Sequence, residues 1–268
     1  GACDEADRWH GKGRLKYGFA PRFVPSCTEG LLLDTIAEAR RRGALLHTHA
    51  SENADELELV RSLTGRDNIE YLGDIGLLGD DVCLAHCIHL DEQGYQLLRS
   101  TNTTVVHCPS SNLKLASGIA NTPKMIEMGI NVAIGADGAA CSNRLDIFSE
   151  LRLAALIQKI PHGVAALSPE AAFGMATVAG AKALGENGGR IEVGANADFV
   201  VYKKDQLALT TGGSIISALV YASNSNVIDQ VWIGGDQVVR NGEVVGWSTS
   251  ETVRGVEESL ARLEARRS

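Results

Sequence analysis

The sequence has neither an apolar stretch approaching the length that spans a lipid bilayer nor a signal peptide at its start. It also lacks an excess of basic residues, since 33 acidic against 25 basic side chains give a formal net charge of −8. Nucleic acids and anionic membranes attract clustered lysine and arginine, so neither is an expected partner. The sequence predicts a cytoplasmic protein that acts on a small molecule, with a homo-oligomer left open.

Cysteine pairs at metal-binding or redox spacing are missing too. The chain contains six cysteines but no Cys-x-x-Cys motif. Most of them lie on or beside predicted strands, which indicates small core residues in a reducing compartment. They are Cys3, Cys27, Cys83, Cys87, Cys108 and Cys141.

The sequence does contain short apolar runs separated by helical stretches, which predicts parallel βα units. Thr28 or Ser26 can cap a helix that ends at Gly43, and Asn53 can cap one that ends near Gly65. Further helices are predicted over 145–160 and 168–185. The predicted strands cover residues 17–20, 45–49, 82–87, 103–107 and 131–136.

Polar side chains close four of these runs. His49 is followed by Glu52 in His-Thr-His-Ala-Ser-Glu-Asn, and further along come His86 in Ala-His-Cys, His107 in His-Cys-Pro-Ser-Ser-Asn and Asp137 in Gly-Ala-Asp-Gly. Barrel enzymes place their chemistry at the carboxyl ends of their strands. The order of a histidine, a carboxylate, a histidine and an aspartate therefore indicates a hydrolytic metal site at the mouth of a barrel.

These residues also have plainer interpretations. A lone histidine in a strand is more often a core residue than a metal ligand, Asp137 between glycines could be a turn residue, and Glu52 could be a carboxylate favoured by the dipole of a helix N-terminus. The ordered set favours the functional interpretation. His47 and His107 are predicted to be structural or supporting residues at strand ends, and residues 53–56 are predicted to be a solvated first helical turn.

The pattern changes after residue 189 to strands separated by turns. Gly234-Gly235 is a hairpin signal between two such strands. We expect residues 190–247 to form part of a small β-sandwich appended to a barrel of residues 1–189. Residues 248–268 are predicted to form a C-terminal helix with one apolar face.

The motifs His-x-Ser-Glu-Asn, Ala-His-Cys, His-Cys-Pro-Ser-Ser-Asn-Leu-Lys-Leu and Gly-Ala-Asp-Gly-Ala resemble those of the metal-dependent amidohydrolase superfamily. The chain is most similar to the branch of guanine, methylthioadenosine/S-adenosylhomocysteine and 5'-deoxyadenosine deaminases that also holds the triazine hydrolases. The resemblance covers nearly the whole chain. It implies the α/β class, with a partial (β/α)8 TIM-type barrel that contains strands four to eight and with part of the appended sandwich.

The resemblance also exposes a departure. In this family the first barrel strand ends in a His-x-His pair that supplies two metal ligands. The pair His47-Thr-His49 is followed by Ser-Glu-Asn, which matches the fifth strand of the family and not the first. We therefore expect the chain to be the C-terminal part of an enzyme and to be inactive alone.

The resemblance implies one divalent ion, zinc or alternatively iron, with His49 and Asp137 among its ligands. Histidine and carboxylate ligands suit either metal. Asp137 would also take a proton from the attacking water. Glu52 would act as the acid that protonates the ring nitrogen beside the attacked carbon, and His86 would hold the water and stabilise the tetrahedral intermediate.

For the substrate, Arg22-Phe23 resembles the pattern of guanine and 5'-deoxyadenosine deaminases. Arg22 could donate to a purine acceptor while Phe23 packs on the ring, although a structural ion pair is the alternative for Arg22. Asn112 and Ser142 are further candidates to line the pocket. We therefore expect hydrolytic deamination of a purine-like heterocycle, guanine or an adenosine derivative.

Two other functions stay open at this point. One is hydrolytic removal of chloride or an alkylamine from a triazine, and the other is a non-catalytic scaffold that keeps the barrel without its metal. A zinc deaminase of the cytidine type is excluded, because its His-x-Glu and Pro-Cys-x-x-Cys elements are absent from the sequence.

Overall fold

The computed structural model describes residues 1–210 and 213–266 and contains a sheet of five parallel strands. The order of the strands in the sheet is their order in the chain, as expected for βα units. The α/β class and the five predicted strands are thereby confirmed, with small differences at the strand ends. The strands are β1 (Gly18–Phe19), β2 (Leu45–Ala50), β3 (Val82–His86), β4 (Thr104–His107) and β5 (Val132–Ile134).

Helices connect these strands and continue to the C-terminus. They are α1 (Ala2–Trp9), α2 (Glu29–Arg42), α3 (Ala54–Thr64), α4 (Asn68–Asp74), α5 (Glu92–Ser100), α6 (Pro109–Lys114), α7 (Thr122–Glu127), α8 (Ala139–Ser142), α9 (Ile147–Ile157), α10 (Lys159–His162), α11 (Pro169–Ala176), α12 (Val178–Ala183), α13 (Ile215–Tyr221) and α14 (Thr249–Glu264).

Local signals set the limits of the helices. Thr28 Oγ1 accepts the N–H of Leu31 at 3.2 Å before α2, and Gly43 ends that helix in the left-handed conformation with a φ of +64°. The single helix predicted over 168–185 is wrong. It is divided into α11 and α12 at Thr177, whose φ of −116° and ψ of −90° are not helical.

One face of the parallel sheet is covered by helices. Leu46, Leu84 and Val105 on successive strands are fully buried, and they belong to the same apolar core as Leu32 of α2 and Leu98 of α5. Since side chains alternate along a strand, the residues between these apolar positions lie on the other face. The helical side is therefore the core, and the opposite side is available for polar groups.

The polar face is clearest on β2, where buried and half-buried residues alternate. His47 and His49 are half-buried there, and they pair with Cys83 and Ala85 of β3. Parallel pairing also brings the carboxyl ends of β2 and β3 to the same edge, with Ala50 opposite His86. The fold thus gathers the predicted polar residues at one edge of the sheet.

A second, antiparallel sheet follows the parallel sheet along the chain. Gly234 and Gly235, with φ of +60° and +86°, form the predicted hairpin turn between its two central strands. Within the described residues this region is one four-stranded sheet, whereas a sandwich consists of two. The strands, in the order of the sheet, are β6 (Phe199–Tyr202), β7 (Ile228–Ile233), β8 (Asp236–Arg240) and β9 (Glu243–Val244).

The predicted C-terminal helix is α14, and its apolar side chains are about half exposed to solvent, from 51% for Val253 to 56% for Leu263. The prediction extended over residues 267 and 268, which lie outside the described residues. Across the described ranges 1–210 and 213–266, no helix combines the length and the apolar character that a membrane span requires.

Glu56 is buried, with only 7% of its surface exposed, so the prediction of a solvated turn over residues 53–56 is wrong at this position. Its Oε1 accepts from the backbone N–H of Ser51 at 3.1 Å and from Nδ2 of Asn68 at 2.6 Å. Its Oε2 accepts from the N–H groups of Glu52 at 2.7 Å and Asn53 at 3.4 Å. One carboxylate therefore holds the turn that follows β2.

Replacing Glu56 should be costly. Glu56→Ala removes the acceptor of several buried donors, and we expect a loss of about 2–4 kcal/mol in the free energy of unfolding. Urea unfolding of the complete gene product, meaning this chain with any coding sequence that flanks it, measures the change. Glu58→Ala, at an exposed position of the same helix, is the control and should stay within about 0.5 kcal/mol of the parent. Equal losses for the two variants would contradict the anchoring role.

Candidate active site

The structure brings four of the predicted site residues together at the carboxyl ends of the parallel strands. The rings of His49 and His86 lie 5.2 Å apart between centroids, and His86 Nε2 lies 3.6 Å from Glu52 Oε2. Asp137, which follows β5, is close enough for both histidines to favour its ionised form electrostatically. These side chains therefore form one cluster, here called the site cluster.

His49 is oriented by the backbone of a neighbouring segment. Its Nδ1 lies 2.9 Å from the carbonyl oxygen of Arg22, which can only accept, so Nδ1 carries the proton and Nε2 keeps a free lone pair. Burial, followed by the proximity of His86, lowers the pKa of His49. The ring is therefore neutral at pH 7, with Nε2 available to bind a cation.

His86 is almost completely buried, at 1% exposure, and has a left-handed backbone with a φ of +73°. Its Nδ1 lies 2.8 Å from Oδ1 of Asn112. An amide oxygen accepts hydrogen bonds, so this contact places the proton on Nδ1 and directs Nε2 towards Glu52. His86 thus presents one defined nitrogen to the site cluster.

Glu52 is held from both sides. Its side chain is 15% exposed, its Oε1 accepts from the hydroxyl of Ser117 at 3.3 Å, and its Oε2 faces His86. Glu56 fixes the backbone of Glu52 through the bond to its N–H. The carboxyl group can therefore exchange a proton with a small molecule in the cluster without leaving its position.

Asp137 is an ionised carboxylate in a strained backbone position, with a φ of +59°. Burial opposes its ionisation. Two hydrogen bonds favour ionisation: the Ser111 hydroxyl donates to Oδ2 at 2.5 Å, and the N–H of Gly138 donates to Oδ1 at 2.6 Å. Together with the nearby histidines these bonds outweigh burial, so the pKa of Asp137 lies below its ordinary value. Asp137 can accept a proton or bind a cation.

The chemistry of His49 and Asp137 fits a divalent metal ion, since Nε2 of His49 and the remaining lone pairs of the Asp137 oxygens can bind a cation. A hydrogen bond from the other ring nitrogen to a backbone carbonyl, as in His49, is the usual support of a metal-binding histidine. Catalytic zinc sites generally use three protein ligands. In the part of the chain that the structure describes, no group of three or more His, Cys, Asp or Glu side chains is arranged to hold a metal. The donors therefore fit a metal in kind but are too few to complete a site.

Arg22 and Phe23 lie beside His49. The carbonyl of Arg22 accepts hydrogen bonds from the backbone N–H of His49 and from the hydroxyl of Thr48, both at 3.0 Å. The exposed guanidinium of Arg22 lies over the Phe23 ring, 5.5 Å from its centroid. No acidic side chain forms an ion pair with Arg22 within residues 1–210 and 213–266. The structure thus does not support the alternative in which Arg22 forms a structural ion pair, and the guanidinium of Arg22 is accessible to solvent.

The two other predicted pocket residues occupy different positions. Ser142 is half-buried in α8, just beyond Asp137, and its hydroxyl donates to the carbonyl of Arg144 at 2.7 Å. Asn112 is 1% exposed and lies beneath the site cluster, where it contacts His86. The structure places Asn112 against a predicted catalytic residue.

The two supporting histidines lie within electrostatic range of the cluster. Burial, and then His49 and His86, lower the pKa of His47, whose ring centroid lies 6.3 Å from that of His49. Burial, and then His86, lower the pKa of His107 to about 4. Both are therefore neutral at pH 7, which limits the positive charge around Asp137.

Sequence reasoning missed Ser111, Ser117 and Glu56 as contributors to the site. A capping-box pattern, in which a glutamate follows Asn53 at the third helical position, could have drawn attention to Glu56. Ser111 lies in the Pro-Ser-Ser-Asn motif but had no assigned role. No local signal identifies Ser117, because its partner Glu52 is far away in the sequence.

Known proteins resemble this chain in sequence and in structure. A 5-methylthioadenosine/S-adenosylhomocysteine deaminase of Halobacterium salinarum is 39% identical over 255 residues, which are 95% of this chain and 59% of the relative. A 5'-deoxyadenosine deaminase of Methanosarcina acetivorans is 37% identical over 261 residues, which are 96% of this chain and 60% of the relative.

The similarity extends to a solved structure. An adenosine deaminase from Xanthomonas campestris with bound zinc has a TM-score of 0.94 and 30% sequence identity, and the match covers 98% of this chain and 61% of that chain. This chain thus spans about three fifths of the length of these relatives. The profile of the amidohydrolase family matches residues 3–238, which contain the whole site cluster, and the chain belongs to this family.

Proposed function

We propose that the complete gene product deaminates a purine-like heterocycle by hydrolysis and releases ammonia. The observation that carries the proposal is that a candidate acid and an ionised carboxylate lie at the same edge of the sheet. Glu52 Oε2 is 3.6 Å from His86 Nε2, and Asp137 is ionised beside them. An acid beside a base is what addition of water to an amidine carbon and departure of ammonia require. The named activities of the two archaeal relatives support this reaction class.

A divalent ion, zinc as in the Xanthomonas structure or alternatively iron, would be held in part by His49 and Asp137. When bound, such an ion lowers the pKa of a bound water to about 7 and so supplies hydroxide at neutral pH. We propose one ion for each site. His49 and Asp137 would supply some of its ligands, and groups other than the described residues would supply the rest.

The residues of this chain then have separate tasks. Asp137, kept ionised by Ser111 and Gly138, takes a proton from the attacking water. His86 accepts a hydrogen bond from that water at Nε2 and directs it at the attacked carbon. Glu52 donates its proton to the ring nitrogen beside that carbon, which prevents negative charge from building up in the ring. Asp137 then passes its proton to the amino group, which leaves as ammonia when its bond to the carbon breaks, and the hydroxyl proton of the intermediate returns to Glu52 as the carbonyl forms.

We infer that the substrate is bound from the side of Arg22. The exposed guanidinium can donate to a purine acceptor atom, and Phe23 can pack against the ring or against the stem of Arg22. Ser142, just beyond Asp137, is the proposed polar contact on the opposite side. Asn112 belongs to the binding site only through its contact with His86.

The wider architecture is part of the same proposal. We infer that residues 1–189 contribute strands four to eight of a TIM-type barrel, that residues 190–247 contribute part of a β-sandwich, and that the described part of residues 248–268, which contains α14, is a C-terminal helix. The length of the relatives supports this division, since they exceed the chain by about two fifths of their own length. A cytoplasmic enzyme that acts on a small molecule, alone or as a homo-oligomer, is consistent with the sequence.

Removing the proposed acid should affect turnover and not metal content. Glu52→Gln keeps the size of the side chain but removes its proton, so we expect kcat for ammonia release to fall by about 10²- to 10⁴-fold while metal content is unchanged. Asp137→Asn should lower both. Asp55→Asn, at an exposed position three residues after Glu52, is the control and should change neither. Near-parental turnover in Glu52→Gln would reject Glu52 as the acid.

The role of Arg22 is tested by comparing substrates. Arg22→Ala removes a charged hydrogen-bond donor worth roughly 1.5–3 kcal/mol, so kcat/KM for the best purine substrate should fall by about tenfold to a hundredfold. Ammonia release from guanine, adenosine, 5'-deoxyadenosine and methylthioadenosine, and chloride release from chlorotriazines, are the measurements. Arg254→Ala in the exposed α14 is the control. Efficient chloride release that does not respond to Arg22→Ala would replace the purine assignment with the triazine alternative.

A further inference from the structure

One short segment contacts three members of the site cluster. It consists of α6 and the turn after it, residues 109–118, and is here called the orienting segment. Its contacts are Ser111 Oγ to Asp137 Oδ2 at 2.5 Å, Asn112 Oδ1 to His86 Nδ1 at 2.8 Å, and Ser117 Oγ to Glu52 Oε1 at 3.3 Å. The three partners come from three different strand ends, so the segment is the element that they share.

We propose that Ser111, Asn112 and Ser117 are positioning residues, through which the orienting segment sets the relative geometry of Glu52, His86 and Asp137. This inference rests on the proposed function, because it assigns the three residues to that reaction. Each contact fixes a different property. Ser111 limits rotation of the Asp137 carboxylate, Asn112 sets the tautomer of His86, and Ser117 determines which oxygen of Glu52 is turned towards the site cluster.

The first property is the orientation of Asp137. Its carboxylate is bonded on one oxygen by Ser111 and on the other by the backbone of Gly138, so it cannot rotate without breaking a bond to a charged acceptor. The residue also has a left-handed backbone, with a φ of +59°. Ser111 therefore ties this carboxylate to the fixed helix α6.

The second property is the tautomer of His86. Because Asn112 Oδ1 can only accept, Nδ1 of His86 carries a proton, and Nε2 is the nitrogen directed towards the attacking water. Asn112 is 1% exposed, and its Nδ2 is buried without a hydrogen-bond partner among the described residues. A buried amide nitrogen in that state costs free energy, which the hydrogen bond with His86 partly offsets.

The third property is the direction of Glu52. Ser117 donates to Oε1, which leaves Oε2 as the oxygen that faces His86. Ser117 lies in a tight turn in which Gly118 has a φ of +130°, and a side chain at Gly118 would come within 2.9 Å of Ile88. The position after Ser117 therefore requires glycine, and the Ser117 side chain is held by its bond to Glu52.

The orienting segment is itself anchored at both ends. The N–H of Ser110 donates to Oε2 of Glu150 at 3.0 Å, and Glu150 is fully buried on α9, where burial raises its pKa. At the other end, Lys114 donates to the carbonyl of Ala140 at 2.8 Å. His89 Nε2 donates to the carbonyl of Ser117 at 2.9 Å. A rigid support of this kind is what precise placement of reacting groups requires.

The test begins with steady-state kinetics of the complete gene product. Ser111→Ala, Asn112→Leu and Ser117→Ala should each lower kcat by about tenfold to a hundredfold with KM changed by less than about threefold, because misplaced groups slow the chemical step more than they weaken binding. Ser111→Thr and Ser117→Thr retain the hydroxyl and should restore most of the lost kcat. Ser100→Ala, at the exposed end of α5, is the matched control.

A second measurement does not depend on activity. Nitrogen NMR of the histidine rings in metal-free protein should show His86 protonated on Nδ1 in the parent and a mixture of tautomers in Asn112→Leu, whereas Asn112→Asp, whose carboxylate also accepts from Nδ1, should keep Nδ1 protonated. A folded Asn112→Leu variant with the parental His86 tautomer would overturn the assignment of Asn112. Parental kcat in folded Ser111→Ala and Ser117→Ala, judged by an unchanged Tm, would overturn the assignment of the two serines.

Failure of the two proposals can be told apart. If the parental protein releases no ammonia from any purine, the proposed function fails, while the His86 tautomer still reports whether Asn112 positions that ring. If the parental protein is active and the variants retain its kcat and its tautomer, the reaction stands and the positioning role is rejected.

Discussion

The parallel register between β2 and β3 is the constraint on which the site depends. It places His49 opposite Ala85 and Ala50 opposite His86, so that the polar residues after both strands emerge at one edge. Strand side chains alternate with a period of two, and a shift by one residue would turn His49 into the helical core. Burial of Leu46 and Leu84 on the helical side fixes the register, because those side chains have no other apolar environment.

The site itself is built where the strands have ended and the backbone is unusual. Ser51, His86 and Asp137 all have positive φ, between +53° and +73°, which costs free energy for residues other than glycine. Hydrogen bonds from neighbouring elements offset that cost. Glu56 supplies them after β2, and the orienting segment supplies them for His86 and Asp137. The strained ends and their supports are therefore parts of one arrangement.

Buried carboxylates provide much of this support. Glu56 and Glu150 are both buried; Glu56 accepts three backbone N–H groups beside the site cluster, and Glu150 accepts the N–H of Ser110 with one of its oxygens. Burying a carboxyl group is costly, and the bonds to Glu56 offset that cost while they order the turn after β2. Hydrogen bonds from buried side chains thus surround the residues to which we assign the chemistry, which is what precise orientation requires.

Much of the fold followed from local patterns, because alternation of apolar residues, caps such as Thr28 and left-handed glycines such as Gly43 act over a few neighbouring positions. The order of His49, Glu52, His86 and Asp137 at strand ends likewise indicated a site, since parallel strands must bring their carboxyl ends together. Helix limits near Thr177 were predicted less well, because a non-helical residue there has no local signal.

Only the tertiary structure decided which side chains support the site. Ser117 lies 65 positions from Glu52, and Asn112 lies 26 positions from His86, so neither contact follows from a local pattern. Glu56 looked solvated as part of a polar turn, yet the packing of α3 and α4 buries it. The sequence determined the strands and the candidate chemistry through short-range periodicity, whereas burial and long-range hydrogen bonds, which exist only in the packed chain, determined how that chemistry is held.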